Sequence, residues 1–465
     1  MPRAQNLAPD TLARLGADVL AGVLVEHAGV DPILRKKLRM LLAAERGAGN
    51  LAIELEKRIR TIGRSRSFVD WDKRKGLVQE LDHLRATIVE TLAPGDKQKA
   101  ADLMWQFLGI ADSVLERTDD SGGLVDQVFG QAMEDLGRLC ADLPGRDRVA
   151  IARRVLTFVD GDGFGSSGAL IQYLSEALGS EGRAELRETT ETAIAALPKP
   201  SSDKGWQIDS RRRHLAHRLA TLADLEGDVD RYIAALRQGG IETAYVADIA
   251  DRLLTAGRAA EALEWLSRST RVLDDENTTQ IDLQVQALET LGRTEDAQKA
   301  RWAYFQKTLN IEYLRAYLKR LPDFEDFEAE RKAFEIAAAH RPAETALMFF
   351  VAWPDLQRAD RLAGERLTEL DGAAYYILRP AAEALEEKYP AAATRLYRRM
   401  VENVLDRGAS KQYPYAARDL LSCARLADRL GAESGIEDHA GFMTRLNKQH
   451  GRKYGFWGLI KDQRV

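Results

Sequence analysis

Basic and aromatic side chains are concentrated between Lys57 and Lys75. The segment holds eight cations against only two acids, Asp70 and Asp72, and Phe68 and Trp71 lie among them. The cations are Lys57, Arg58, Arg60, Arg64, Arg66, Lys73, Arg74 and Lys75. Because cations attract phosphates and aromatic faces stack on bases, the segment is a candidate patch for nucleic acid. An acidic protein is the other partner that it could attract.

A structural role for the same residues is an equally concrete hypothesis. Asp70 is predicted to begin a helix, and Phe68 and Trp71 could pack around that helix start as a hydrophobic staple and core anchor. Arg64 and Arg66 could form ion pairs with acids on a neighbouring helix. The sequence alone leaves these alternatives open.

A second basic cluster lies near the C-terminus and is followed by two aromatic residues. The cluster comprises Arg445, Lys448, His450, Arg452 and Lys453, and the aromatic residues are Phe456 and Trp457. Aromatic residues after a final charged helix are expected to pack back onto the last apolar face.

Other motifs indicate chemistry only weakly. Gly163–Gly168 fits the dinucleotide pattern G-x-G-x-x-G, but several strands would have to accompany it, and a turn between helices is the better interpretation. Asp160–Gly165 resembles the start of a calcium loop but has Phe164 at a ligand position. His214 and His217 share a helix face without an evident third metal ligand. We therefore expect no metal, no cofactor and no enzymatic activity.

The elements that must position these residues are predicted to be helices. A pattern of Leu, Gly-Arg, an acid and Ala occurs around Gly257 and again around Gly292, at an offset of 35 residues. Such a period, with Gly between two helices and Ala262 or Ala297 early in the second, is typical of tetratricopeptide repeats. Gly227 is predicted to mark a third, more diverged unit.

Two further patterns extend the helical prediction along the chain. Tyr389-Pro390 and Tyr413-Pro414 each precede a pair of alanines, and each is expected to start a closely packed helix. Residues 1–197 show paired helical periodicity of HEAT-like size. We predict an all-α solenoid with an N-terminal helical domain (1–197), a Pro- and Ser-rich linker (198–205) and a tetratricopeptide-like domain (206–465).

Composition narrows the possible environments. A net charge of −5 over 465 residues provides no global attraction to nucleic acid or membranes. Apolar runs are too short to span a bilayer, and the N-terminus lacks the features of a signal peptide. Two distant cysteines, Cys140 and Cys423, cannot build a disulfide framework, which favours the cytoplasm.

Three blocks resemble those of an uncharacterised bacterial family described only as a domain of unknown function. They are Phe68–Trp71, Leu115–Ser121 and His450–Trp457. Tyr413–Leu459 also resembles the helical tail of SWIM-type zinc-finger proteins, although the Cys-x-Cys and Cys-x-His zinc motif is absent. The resemblance implies an all-helical fold over most of the chain and transfers no catalytic residue.

The fold prediction favours binding over catalysis. Helical solenoids present long surfaces for peptides or helices, so we expect a non-enzymatic scaffold for a protein partner. The alternative is a nucleic-acid accessory protein that uses the 57–75 segment.

Overall fold

The chain is helical throughout the part that the structure describes. The computed structural model describes residues 8–143, 145, 147–161, 167–198, 205–268, 278–431 and 435–462. Within these ranges lie 26 α-helices, and the β-type pairing there is one isolated parallel bridge between Val69 and Thr118. The predicted all-α class is confirmed. No helix among these residues is long and apolar enough to cross a membrane.

The chain divides into two compact units, Met1–Ile249 and Ala250–Val465. The helices of the first unit are α1 (Pro9–Ala13), α2 (Ala17–Val30), α3 (Pro32–Glu45), α4 (Ala48–Arg64), α5 (Trp71–Thr87), α6 (Lys97–Leu108), α7 (Ala111–Leu115), α8 (Leu124–Ala141), α9 (Arg148–Gly161), α10 (Ser167–Tyr173), α11 (Ser175–Ala195), α12 (Gly205–Leu225) and α13 (Val229–Gly239), and α14 (Val246–Thr255) spans the division. The helices of the second unit are α15 (Ala259–Ser267), α16 (Thr279–Thr290), α17 (Thr294–Thr308), α18 (Ile311–Leu318), α19 (Glu325–Ala339), α20 (Ala343–Ala352), α21 (Leu356–Glu365), α22 (Tyr375–Leu385), α23 (Pro390–Arg407), α24 (Tyr413–Leu426), α25 (His439–His450) and α26 (Tyr454–Asp462).

Helices that follow one another along the chain pack side by side in each unit. Examples are α3 on α4 and α12 on α13 in the first unit, and α16 on α17 and α22 on α23 in the second. Short connections between packed neighbours make such pairs antiparallel hairpins. Stacked hairpins of this kind are the α-solenoid arrangement that the sequence predicts.

Apolar spacing explains how the helices build their cores. In α4, Leu51, Leu55, Ile59 and Ile62 recur at intervals of three or four residues and all are buried. They belong to a cluster that joins α3 through α12 of the first unit. The same spacing directs the intervening polar residues of α4 outward, including those of the basic segment.

The repeat glycines adopt the conformation that the pattern requires. Gly257 and Gly292 have φ values of +74° and +71°, a region that costs side-chain-bearing residues energy. After each, the next amide donates to a carbonyl five residues earlier, at distances of 2.8 Å for Arg258 and 2.9 Å for Arg293. This is the Schellman ending of a helix, and it turns the chain back for the next helix. Gly227, with φ +68°, ends α12 in the same way.

Small residues after the turns allow the close helix packing that was predicted. Ala262 and Ala297 are fully buried. The two Tyr-Pro motifs begin α23 and α24, which pack against each other with their alanine pairs buried. These local predictions are confirmed.

The predicted linker at 198–205 lies mostly outside the described residues, because 199–204 are not described. The helices on its two sides, α11 and α12, contact each other within the first unit. The boundary at 197 therefore stays a prediction.

Replacing Gly292 by Ala tests the repeat turn. We expect Gly292→Ala to destabilise the chain by roughly 1 kcal/mol, because Ala pays the left-handed penalty that Gly avoids. Gly458→Ala is the matched control in the same unit, since an added Cβ there meets nothing within 4 Å and φ is ordinary. The control should be neutral or stabilising by about 0.5 kcal/mol. Equal urea midpoints for the two variants would contradict the assignment of the turn.

Candidate binding surface

The basic segment spans the end of α4, the connection 65–70 and the start of α5. The connection is held to the segment after α7 by backbone hydrogen bonds. The Val69 amide donates to the Arg117 carbonyl at 2.8 Å, and the Asp119 amide donates to the Val69 carbonyl at 3.2 Å. Two of the blocks quoted above, Phe68–Trp71 and Leu115–Ser121, are thus joined in space.

The Arg117 side chain also holds this junction together. Its guanidinium donates to the carbonyls of Ile62 (3.2 Å) and Ser67 (3.3 Å), and the residue is only 9% exposed. Its Nε has no hydrogen-bond partner among the described residues. Burial lowers the pKa of Arg117 from its ordinary value. Arg117 therefore brings a desolvated positive charge to the junction.

Three of the predicted patch residues make contacts within the fold. Arg58 contacts the Glu80 carboxylate at 2.6 Å, and Arg60 pairs with Glu56 one turn earlier in α4 at 2.7 Å. Arg74 donates to the Asp119 carbonyl at 2.9 Å. The contacts of these three residues fit a structural role.

The five other cations of the segment are exposed and have no ion pair among the residues that the structure describes: Lys57, Arg64, Arg66, Lys73 and Lys75. The idea that Arg64 and Arg66 pair with acids of a neighbouring helix is therefore wrong within the described part. Their charges are available for an external partner.

The two aromatic residues also face outward. Phe68 is 61% exposed and Trp71 is 72% exposed, so neither is a core anchor. Asp70 does precede α5, and its carbonyl accepts from the Lys73 and Arg74 amides, but its side chain makes no capping bond. The staple interpretation is wrong for this helix start. We call the exposed Lys57, Arg64, Arg66, Phe68, Trp71, Lys73 and Lys75 the basic–aromatic surface.

A cleft of about 590 Å³ opens beside this surface. Its walls come from the end of α4, the connection and α7, and Ser113 ties them together by donating its hydroxyl to the Gly63 carbonyl at 2.8 Å. The lining residues are Gly63, Arg64, Ser65, Arg66, Ser113, Glu116 and Arg117. Sequence reasoning missed Ser113, Glu116 and Arg117, for which the Leu115–Ser121 block was the one available signal.

The other candidates have structural contacts or fall outside the described residues. The His217 ring contacts the Tyr245 hydroxyl at 3.1 Å, and burial lowers the pKa of His217. No cluster of three metal-ligating side chains occurs in the described ranges. Residues 162–166, which carry most of the glycine-rich motif and of the calcium-like loop, are not described.

The first cation of the C-terminal basic cluster forms ion pairs within the second unit. Arg445 bridges Glu402 and Glu437, at 2.8 and 3.0 Å. Phe456 is fully buried in the core cluster of α23 to α26, and the Trp457 indole donates to the His450 carbonyl at 3.0 Å. The aromatic residues thus pack back onto the last helices, as the sequence predicts.

The second unit also holds an apolar pocket that sequence reasoning missed. It measures about 200 Å³ and is lined by Gly372, Tyr375, Arg379, Met400, Val404, Gln412, Tyr415, Ala416 and Asp419. Arg379 forms a two-pronged ion pair with the buried Asp419, at 2.9 and 2.7 Å. The Tyr-Pro motif marks the start of α24 but contains no signal for a cavity between α22, α23 and α24.

Some arginines of the basic segment have partners in the fold and others do not, so replacing them should change the free energy of unfolding by different amounts. Arg64→Ala with Arg66→Ala should change the free energy of unfolding by less than about 0.5 kcal/mol, because neither side chain has a partner to lose. Arg58→Ala should destabilise by roughly 1 kcal/mol, because the half-buried Glu80 loses a charged hydrogen bond. Urea unfolding measures both, and a larger loss for the Arg64/Arg66 variant would contradict this distinction.

Comparison with known proteins gives the chain a family. Among solved structures it is similar to a "circular tandem repeat protein with novel repeat topology and enhanced subunit contact surfaces", at 17% identity and a TM-score of 0.22, over 97% of this chain and 93% of the other. No curated protein matches the chain. The resemblance of Tyr413–Leu459 to SWIM tails stays a prediction. Residues 2–459 match the family of unknown function DUF6880, and the chain therefore belongs to that family, as its three sequence blocks indicated.

Proposed function

We propose that this chain is a non-enzymatic helical-repeat scaffold that binds an acidic protein partner through the basic–aromatic surface. One observation carries the proposal: Phe68 and Trp71 are mostly exposed on a segment whose neighbouring Arg64 and Arg66 have no ion pair in the described part. Aromatic residues and arginine are the types enriched at the energetic centres of protein interfaces.

Burial of the aromatic side chains would supply much of the binding free energy. Fully covering a side chain of this size is worth about 2 kcal/mol from the hydrophobic effect alone. The backbone pairing of Val69 fixes the chain between the two aromatics, so less conformational entropy is lost on binding. A pre-organised pair of aromatic anchors suits a protein surface with complementary pockets.

Charge favours an acidic partner. Arg64, Arg66, Lys73 and Lys75 provide steering attraction that salt screens. Asp70 and Asp72 are exposed in the same stretch and would repel a continuous phosphate backbone. A protein with separate acidic groups can avoid these carboxylates, so it is the better match.

We place this function in the cytoplasm. Cys140 and Cys423 are free and buried. Unpaired thiols are usual in a reducing compartment.

Removing the aromatic anchors tests the protein-binding proposal. Affinity purification of the tagged full chain from its native lysate should yield a stoichiometric protein, and Phe68→Ala with Trp71→Ala should lower its recovery at least tenfold, because the anchors' contact area is lost. Tyr454→Ala is the matched control, since Tyr454 is 80% exposed on α26. Equal recovery with both variants, or recovery of the chain alone under gentle conditions, would overturn the proposal.

Nucleic-acid binding is the second candidate, favoured by the interleaving of exposed aromatics with cations. It predicts that a labelled single-stranded oligonucleotide binds at low salt and that its affinity falls steeply as salt rises. Arg64→Ala with Arg66→Ala should weaken binding and reduce the salt dependence, whereas Arg445→Ala, in the other unit, should not. Fluorescence anisotropy measures this, and undetectable binding at low salt would eliminate the candidate.

A further inference from the structure

We propose that the cleft beside the basic–aromatic surface binds a phosphate monoester, held by Arg64, Arg66 and Arg117. The inference deepens the proposed function and rests on it for the source of the group, a phosphorylated side chain of the protein partner.

Arg117 supplies a positive charge that the described part of the protein does not neutralise. No carboxylate lies within ion-pair distance of it there, and the main-chain oxygens that it contacts are uncharged. A guanidinium has five N–H donors, of which the carbonyls of Ile62 and Ser67 use two. A desolvated cation without a counter-ion is unfavourable, so an anion entering the cleft would be stabilised.

Arg64 and Arg66 add two planar donor groups at the cleft wall. Both side chains are exposed and without an ion pair in the described ranges, so an anion does not have to displace an internal carboxylate. Ser65 and Ser113 line the same cleft, although the Ser113 hydroxyl already donates to the Gly63 carbonyl. Arginine forks bind phosphate and carboxylate oxygens through paired charge-assisted hydrogen bonds.

The number of cations favours a phosphate monoester over other oxyanions. Three guanidinium groups exceed the single charge of a carboxylate or a phosphodiester. A phosphorylated side chain carries a charge of about −1.5 to −2 at pH 7 and has three strong acceptor oxygens. The exposed Glu116, which also lines the cleft, opposes a long polyanion and favours a single compact group.

Direct titration of the full chain with phenyl phosphate tests the inference. Isothermal titration calorimetry should detect one saturable site, and Arg64→Ala with Arg66→Ala should weaken it at least tenfold, because charge-assisted bonds are lost. Arg117→Met should weaken it similarly. Since that variant removes a fold contact and could unfold, the Arg64/Arg66 pair keeps the test decisive. Arg60→Ala, which removes a cation outside the cleft, is the control and should bind like the wild type.

Two further measurements test the charge of the bound ligand. Glu116→Gln should bind more tightly, because the opposing carboxylate is removed. Affinity should fall as pH drops below about 6, because the phosphate dianion takes up a proton there and becomes a monoanion. Affinity that does not change with either would contradict a dianionic ligand in this cleft.

Other outcomes overturn the inference. These are no saturable binding of phenyl phosphate, equal binding of benzoate, which would indicate a general carboxylate site, or binding of a phosphodiester oligonucleotide without binding of phenyl phosphate. If the wild-type chain captures its partner but does not bind phenyl phosphate, only this inference is overturned. If the wild-type chain binds phenyl phosphate but Phe68→Ala with Trp71→Ala does not reduce recovery of the protein partner, only the protein-binding proposal is overturned.

Discussion

The shape of the candidate surface depends on the hydrogen bonds that the buried Arg117 guanidinium donates to the carbonyls of Ile62 and Ser67. The guanidinium joins the end of α4 to the connection before α5, and the backbone bonds of Val69 hold the same connection against residues 117–119. Without these contacts, residues 65–70 would be a loop with few fixed neighbours. With them, the exposed arginines and aromatics are presented from a defined backbone, and the proposals above require such a backbone.

Composition could not separate the two kinds of cation in the basic segment. Arg58 and Arg64 both belong to α4, six residues apart, yet one faces Glu80 and the other faces solvent. The difference is that the tertiary structure brings Glu80 of α5 beside Arg58 and no acid beside Arg64 in the described part. For the same reason the aromatic residues could be read as anchors from the sequence, although their side chains point away from the core.

Local signals predicted the fold well. Gly257 and Gly292 reveal the repeat turns because glycine adopts the left-handed conformation without the steric cost that other residues pay, and this preference holds whatever surrounds the turn. Proline at the starts of α23 and α24 acts equally locally. Arg117 and the pocket around Arg379 escaped prediction because their properties come from residues that are distant in sequence. Arg117 contacts carbonyls 50 and 55 residues earlier, and Arg379 pairs with Asp419, 40 residues later.

Amide hydrogen exchange at Val69 and Asp119 tests most directly whether the connection is held in place. Both amides donate to backbone carbonyls across the junction, so the account predicts exchange at least about 100-fold slower than in an unstructured peptide. Exchange at the unstructured rate in the wild-type chain would mean that the junction does not persist. The basic–aromatic surface would then have no fixed geometry with which to recognise a partner.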